Sequence, residues 1–172
     1  MRGGHIGVEI ERKYIIEKPC LADMERCEGY FASEIVQIYL TSDKGTTRRI
    51  RKRTSEGVSR FYETEKVRID EMSVTETERE ISEDEFLALL GERDPKTNPI
   101  IKTRHAFGFG GISYEIDVYP EWKSTAILEN ELEKRDTVVE HPSFIRILRE
   151  VTGIREYSNA AMAKSFPPED HL

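Results

Sequence analysis

The chain has 172 residues, 34% of them charged and 37% hydrophobic, with a net charge of −7. That length suits one domain with a real core, and the acidic balance argues against a general nucleic-acid or acidic-membrane binder. No apolar run approaches the roughly 20 residues that span a bilayer. Met1-Arg2-Gly3-Gly4-His5-Ile6-Gly7 lacks the apolar core of a signal peptide, and Cys20 and Cys27 have no second Cys/His pair at zinc spacing. The expectation is a cytoplasmic protein with reduced thiols, one domain over 1–172 with its core at about 8–163 and a frayed tail after 166.

Val8 to Tyr14 reads as the first strand. Alternation puts Glu9, Glu11 and Lys13 on one face and Val8, Ile10 and Tyr14 on the other. Two carboxylates about 6.5–7 Å apart along a strand can serve one divalent cation or two adjacent ones. The lysine next in line suits an anion that bridges to the metal. An ordinary strand with a wet, charged face would look the same. Lys18-Pro19 breaks the run, and Leu21 to Arg26 suits a short helix. Val36 to Thr41 sets Val36, Ile38 and Leu40 against Gln37, Tyr39 and Thr41. After a turn at Ser42 to Gly45, Thr46 to Arg53 aligns Arg49, Arg51 and Arg53. The turn Ser55-Glu56-Gly57 leads into Arg60 to Ile69, which aligns Tyr62, Thr64, Lys66 and Arg68.

The fifth strand, Val74 to Ile81, carries Glu76, Glu78 and Glu80 on one face. Ser82 with Glu85 is a capping box opening a helix through Leu90, and a polar loop follows to Pro99. Ile100 to Phe107 aligns Lys102 with Arg104. A hairpin turn at Gly108, Gly110 and Gly111 leads to Ile112 to Tyr119, which aligns Glu115 with Asp117. Thr125 to Leu132 is the eighth strand, with Glu129 and Glu131 together. His141-Pro142-Ser143 predicts a helix start, with Phe144, Ile145, Ile147, Leu148 and Val151 on the helix and a stop near Gly153. A last short helix covers Ser158 to Lys164.

Short turns between strands argue for antiparallel pairing. Two architectures then fit: an open sheet showing its charges to water, or a closed barrel with a polar lumen and helices outside. Eight strands enclose just enough room for one small ligand, and closure removes exposed edges. Pattern alone leaves both open.

Glu9-Ile10-Glu11-Arg12-Lys13 resembles the ExExK opening of the CYTH domains, also called triphosphate tunnel metalloenzymes, and the resemblance runs from Val8 to about Ala163. Gln37 and Tyr39 match a polar-aromatic second strand, Arg49-Ile50-Arg51 an RxR strand, Lys66 the lysine after it, and Glu76 and Glu78 the fifth-strand acids. Ile101-Lys102-Thr103-Arg104 resembles the KxR strand, Tyr114-Glu115-Ile116-Asp117-Val118 the EIDVF-like strand, and Leu128-Glu129-Asn130-Glu131-Leu132 a second ExE. Val151-Thr152-Gly153 and Tyr157-Ser158-Asn159 resemble the C-terminal segment.

The resemblance implies an α+β fold: an eight-stranded antiparallel closed β-barrel with a charged lumen. It implies a small-molecule triphosphate as partner, with neither nucleic acid nor membrane, in a monomer or homodimer. On it, Lys13, Arg49, Arg51, Lys66, Lys102 and Arg104 bind triphosphate. Glu9, Glu11, Glu129, Glu131 and Asp117 hold Mg2+, with Mn2+ as second choice. Lys102 is the catalytic base, with Lys66 as runner-up and Tyr39 either catalytic or part of the wall. Glu115 and Asp117 fit equally as supports for the arginines. Glu63 and Glu65 depart from the family's apolar outward positions, and Ser158-Asn159-Ala160 lacks a lysine found in some relatives.

Three functions compete. The first is hydrolysis of inorganic triphosphate, or of an organic one such as thiamine triphosphate. The second is an adenylate cyclase making cyclic AMP from ATP. The third is a non-catalytic polyphosphate- or nucleotide-binding module. The carboxylates disfavour pure binding, because an anion binder gains nothing from them. A cyclase needs a pocket for base and ribose, and no motif supplies one. Compact members with EIERK-type openings are often triphosphatases, so hydrolysis is the expectation.

Overall fold

In a computed structural model of the chain, the described residues are 5–70 and 73–169, with the side chains of 5–9 excepted. Five strands come first: β1 (His5–Glu17), β2 (Glu28–Leu40), β3 (Thr46–Ser55), β4 (Val58–Arg68) and β5 (Ser73–Ile81). β6 (Ile100–Phe109), β7 (Ile112–Val118), β8 (Thr125–Leu132) and β9 (Ile147–Glu150) follow. The helices are short: α1 (Leu21–Glu25), α2 (Glu83–Leu89) and α3 (Asn159–Lys164), with 3-10 turns at Leu90–Glu92 and Arg155–Tyr157. The capping box at Ser82 and Glu85 is present in full at the start of α2. The β6–β7 turn has only two residues, Gly110 (φ 57°) and Gly111 (φ 76°), a double left-handed geometry that glycine adopts freely. Gly108 lies within β6 instead of the turn. Among the described residues no helix is long and apolar enough to cross a membrane.

The strands run in the order β5-β4-β3-β2-β6-β7-β8-β1-β9, all antiparallel, and β1 also pairs with β5. That extra pairing closes an eight-stranded barrel. Length makes it possible: β1 has 13 residues, so His5–Ile10 pairs with β5 while Ile10–Glu17 pairs with β8. Where β5 ends, β9 takes over the edge of β1 at Tyr14–Ile16.

β9 corrects the sequence reading, which put a helix over Phe144 to Val151. The open edge of β1 offers backbone groups that need partners. Glu17 N–H donates to the Arg146 carbonyl at 3.0 Å, and Val151 N–H to the Lys13 carbonyl at 2.8 Å. An extended chain also sends Ile145 and Val151 into two different apolar clusters. Tertiary pairing here overrides helical spacing.

Three apolar clusters hold the barrel. Outside, α1 and Ile145 cover Tyr14, Ile16, Phe107, Ile116 and Leu128. On another outer face, Phe86 of α2 covers Leu40, Ile50, Phe61 and Ile81. The third cluster lies inside. Ile15, Tyr39, Ile100, Tyr119 and Ile127 share the strand faces that carry the charges, and Tyr157, Met162 and Ala163 cap them. The lumen is therefore charged toward one end and plugged with hydrocarbon at the other.

Candidate anion-binding tunnel

Closure turns the alternation of each strand into a lumen wall. On the side built by β1, β6, β7 and β8, the charges form one continuous chain. Lys13 Nζ lies 3.7 Å from Glu11 and 2.8 Å from Glu129. The other Glu129 oxygen accepts from Arg104 Nη2 at 2.9 Å. Arg104 grips Asp117 through Nε at 2.6 Å and Nη2 at 2.7 Å, and also pairs with Glu115. Lys102 Nζ donates to Asp117 at 2.5 Å.

Burial opposes every charge in this chain, and its partners decide each outcome. For Glu129 burial acts upward, but Lys13 and Arg104 outweigh it and hold the carboxyl well below its usual range. Asp117 is likewise held low by Arg104 and Lys102 against burial. Lys13 is raised, because Glu129 and Glu11 overcome its desolvation. Lys102 goes the other way, to about 8, because burial leads and Asp117 only partly offsets it. The two partners of the Lys102–Asp117 pair thus disagree in sense. Arg104 resolves the conflict: its double grip already balances Asp117, leaving Lys102 the surplus cation in a dry site.

The side built by β2 to β5 is organised differently. Arg51 pairs with Glu78, which also accepts from Thr64 Oγ1 at 2.9 Å. Lys66 Nζ is 2.5 Å from Glu76, while Arg49 Nη2 stays 3.8 Å from the same oxygen. Among the described residues, Arg49 Nε is buried without a hydrogen-bond partner, and so is Gln37 Oε1. Burial and the neighbouring Arg49 hold the Arg51 guanidinium below its ordinary range. Tyr39 accepts from Gln37 Nε2 at 2.8 Å, and burial raises its phenol despite Arg49, so it stays protonated near neutrality. Arg104 acts electrostatically on both Arg49 and Arg51, so the two sides share one interior.

Solved structures share this architecture. The inorganic triphosphatase NE1496 superposes with a TM-score of 0.59 at 23% identity, over 94% of this chain and 97% of that one. The chain has the triphosphate-tunnel fold. A second structure of NE1496, described as a hypothetical protein, gives 0.59 at 24% identity over 92% of this chain and 99% of that one. The PH1012 protein from Pyrococcus horikoshii OT3 gives 0.55 at 19% identity over 74% and 80%. No protein-family model and no curated protein matches the chain.

The tunnel brings Lys13, Arg49, Arg51, Lys66, Lys102 and Arg104 onto its inner face. Among the acids, Asp117 is fully buried and engaged by two cations, while Glu129 is shared between Lys13 and Arg104. Glu11 and Glu131 are direct cross-strand partners, and Glu131 is exposed. The side chain of Glu9 lies outside the described residues. Like charges directly opposite each other on a sheet destabilise it. The Glu11–Glu131 pair therefore fits a bound cation, and oxygen donors alone fit a hard one such as Mg2+. Among the described residues no three acidic, His or Cys side chains form a cage. An ion here would complete its shell with phosphate oxygens and water, the habit of Mg2+.

Two features escaped the sequence. Glu76 and Glu78 act as the counter-charges that hold Lys66 and Arg51 in place, a role that the register alone reveals. The plug had a visible signal, the isoleucines that interrupt the charged faces at Ile15, Ile100 and Ile127. Glu63, noted as a departure, binds Arg48 at 2.9 Å and Arg79 at 2.6 Å away from the lumen.

Proposed function

We propose that the chain is a divalent-metal-dependent triphosphatase, cleaving a phosphoanhydride bond of inorganic triphosphate or an organic triphosphate held in the tunnel. The observation that carries this is the buried Arg49: among the described residues its Nε has no hydrogen-bond partner and its nearest carboxylate is 3.8 Å away. A buried guanidinium with a free donor is costly unless an anion completes it. Arg51, Lys66, Lys13 and Arg104 surround the same interior, enough cation for the several charges of a triphosphate. NE1496 is an inorganic triphosphatase of the same fold, which supports the reading.

In this mechanism Arg49, Arg51 and Lys66 bind the phosphate oxygens and so exchange carboxylate partners for substrate. Arg104, fixed by Asp117, Glu115 and Glu129, keeps its charge aimed into the site. Tyr39 retains its proton and can donate it in a hydrogen bond. Glu11 and Glu131, with Glu9 and Glu129 as further carboxylates, would hold a divalent cation that neutralises phosphoryl charge and acidifies a water. Lys102, the lysine whose pKa burial lowers to about 8, would take the proton of the attacking water on its Nζ.

Phosphate release from tripolyphosphate with Mg2+ tests the proposal. Turnover is expected with Mg2+ and lost in EDTA. Glu131→Gln should cut it about a hundredfold, roughly 2.7 kcal/mol of barrier, while leaving the metal-free fold at least as stable. Undiminished turnover in EDTA, or cyclic AMP from ATP in place of phosphate, would overturn it.

A further inference from the structure

The last described residues fasten the plugged end of the barrel from outside. After α3 the chain runs Phe166-Pro167-Pro168-Glu169 to the turn between β7 and β8. There the Glu169 carboxylate accepts from three successive backbone N–H groups, Lys123 at 3.1 Å, Ser124 at 2.6 Å and Thr125 at 2.9 Å. The Ser124 and Thr125 hydroxyls donate to it as well, at 2.9 Å and 3.1 Å. Successive N–H groups turned toward one point make an anion-binding concavity. The Ser124 and Lys123 N–H groups hold the Glu169 carboxyl down at about 2, so it stays ionised around neutral pH. Trp122 adds a second fastening, donating from Nε1 to the Pro167 carbonyl at 3.1 Å. Two prolines in a row fix φ twice, so docking costs the segment little freedom.

One ring carries this contact inward. Phe166 meets Tyr119 edge-on at 5.3 Å and Trp122 at 5.4 Å. Tyr119 is only 1% exposed, and its hydroxyl donates to Asn159 Oδ1 at 2.9 Å. The same ring lies 5.8 Å from Lys102 Nζ, the group that donates to Asp117. Tyr119 is thus in contact with the tail and with the buried ammonium at once. A ring braced by its neighbours and at its hydroxyl keeps one rotamer.

We propose that Glu169 is a positioning residue for Lys102: it latches Phe166 against Tyr119, and Tyr119 keeps the ammonium at its place in the tunnel wall. The proposal rests on the triphosphatase reading above, in which Lys102 takes a proton. Arg51 and Lys66 have separate supports in Glu78 and Glu76, so losing the latch should cost turnover and spare substrate binding.

Trp122 is the only tryptophan in the chain, and its emission reports the latch directly. In Glu169→Ala and in Phe166→Ala the emission should move to the red, and acrylamide quenching should rise about twofold as the local contact opens. Both variants should lose about tenfold in kcat on tripolyphosphate with Mg2+, with KM held within about twofold. Unchanged emission in Glu169→Ala would overturn the latch. A red shift with unchanged kcat, or with KM rising as kcat falls, would overturn the positioning role, because general loosening of the barrel would disturb binding too. If the natural protein releases no phosphate from tripolyphosphate, the triphosphatase reading falls and the positioning role with it. The tryptophan signal keeps that outcome apart from a latch that never closes.

Discussion

Lys102 keeps its ammonium at 2% exposure, touching a carboxylate that Arg104 has already neutralised. Burial comes first in lowering its pKa, and the repulsion of Arg104 is secondary. With its pKa lowered to about 8, the neutral amine grows in as pH rises through that value. A neutral amine can accept a proton, whereas arginine keeps its own throughout the accessible range. Turnover should therefore rise across pH 7 to 9 in the natural protein. In Lys102→Arg it should fall by about two orders of magnitude, the scale of general base catalysis, and lose that rise. A pH–rate profile for both proteins checks this, and near-natural turnover in the variant would leave Lys102 as a charge alone. Lys66, the alternative, sits against Glu76 at 2.5 Å.

At the scale of elements, α3 makes the barrel blind. Met162 is 2% exposed and packs with Ala163 over Ile15, Ile100 and Ile127. Met162→Ala should cost about 3 kcal/mol, typical of large-to-small core changes. For a domain of this size that lowers the melting temperature by about 6–12 °C, measurable by calorimetry; a loss under 2 °C would mean that the plug is not part of the cooperative core. Much of this arrangement was legible beforehand. β8 has the predicted bounds, Thr125 to Leu132, and alternation assigned the lumen charges to their faces because a period of two survives any tertiary context. Alternation says nothing about height along the barrel. The change from Lys13 to Ile15, or from Glu129 to Ile127, reads as noise until register shows the isoleucines converging. β9 was illegible for a different reason: its partner is the free half of β1, some 130 residues earlier, and local spacing cannot report such a pairing. In the site, residue types were readable, whereas the pairings that distinguish the saturated Asp117 from the unsatisfied Arg49 depend on distances.

For the whole molecule, the tunnel interior is a concentrated internal salt whose balance depends on its carboxylates. Glu76, Asp117 and Glu129 all have folded-state pKa values below their ordinary ones. Such groups stabilise the fold above their unfolded pKa, and that contribution is lost as pH falls through the folded value. Acid should thus unfold the barrel by leaving its buried cations without counter-charge. A triphosphate supplies the same counter-charge from outside and binds only the folded state. At a hundred times its dissociation constant it adds about 2.7 kcal/mol, or roughly 5–10 °C in melting temperature for a chain of this length. Pyrophosphate has fewer oxygens to share among Arg49, Arg51 and Lys66 and should shift the melting point far less at equal concentration. The tripolyphosphate shift should persist at pH 4, where the internal carboxylates begin to fail. Differential scanning fluorimetry across pH 4 to 8 with both anions decides it, and matching shifts from the two would mean that the interior senses charge without measuring the length of the phosphate chain.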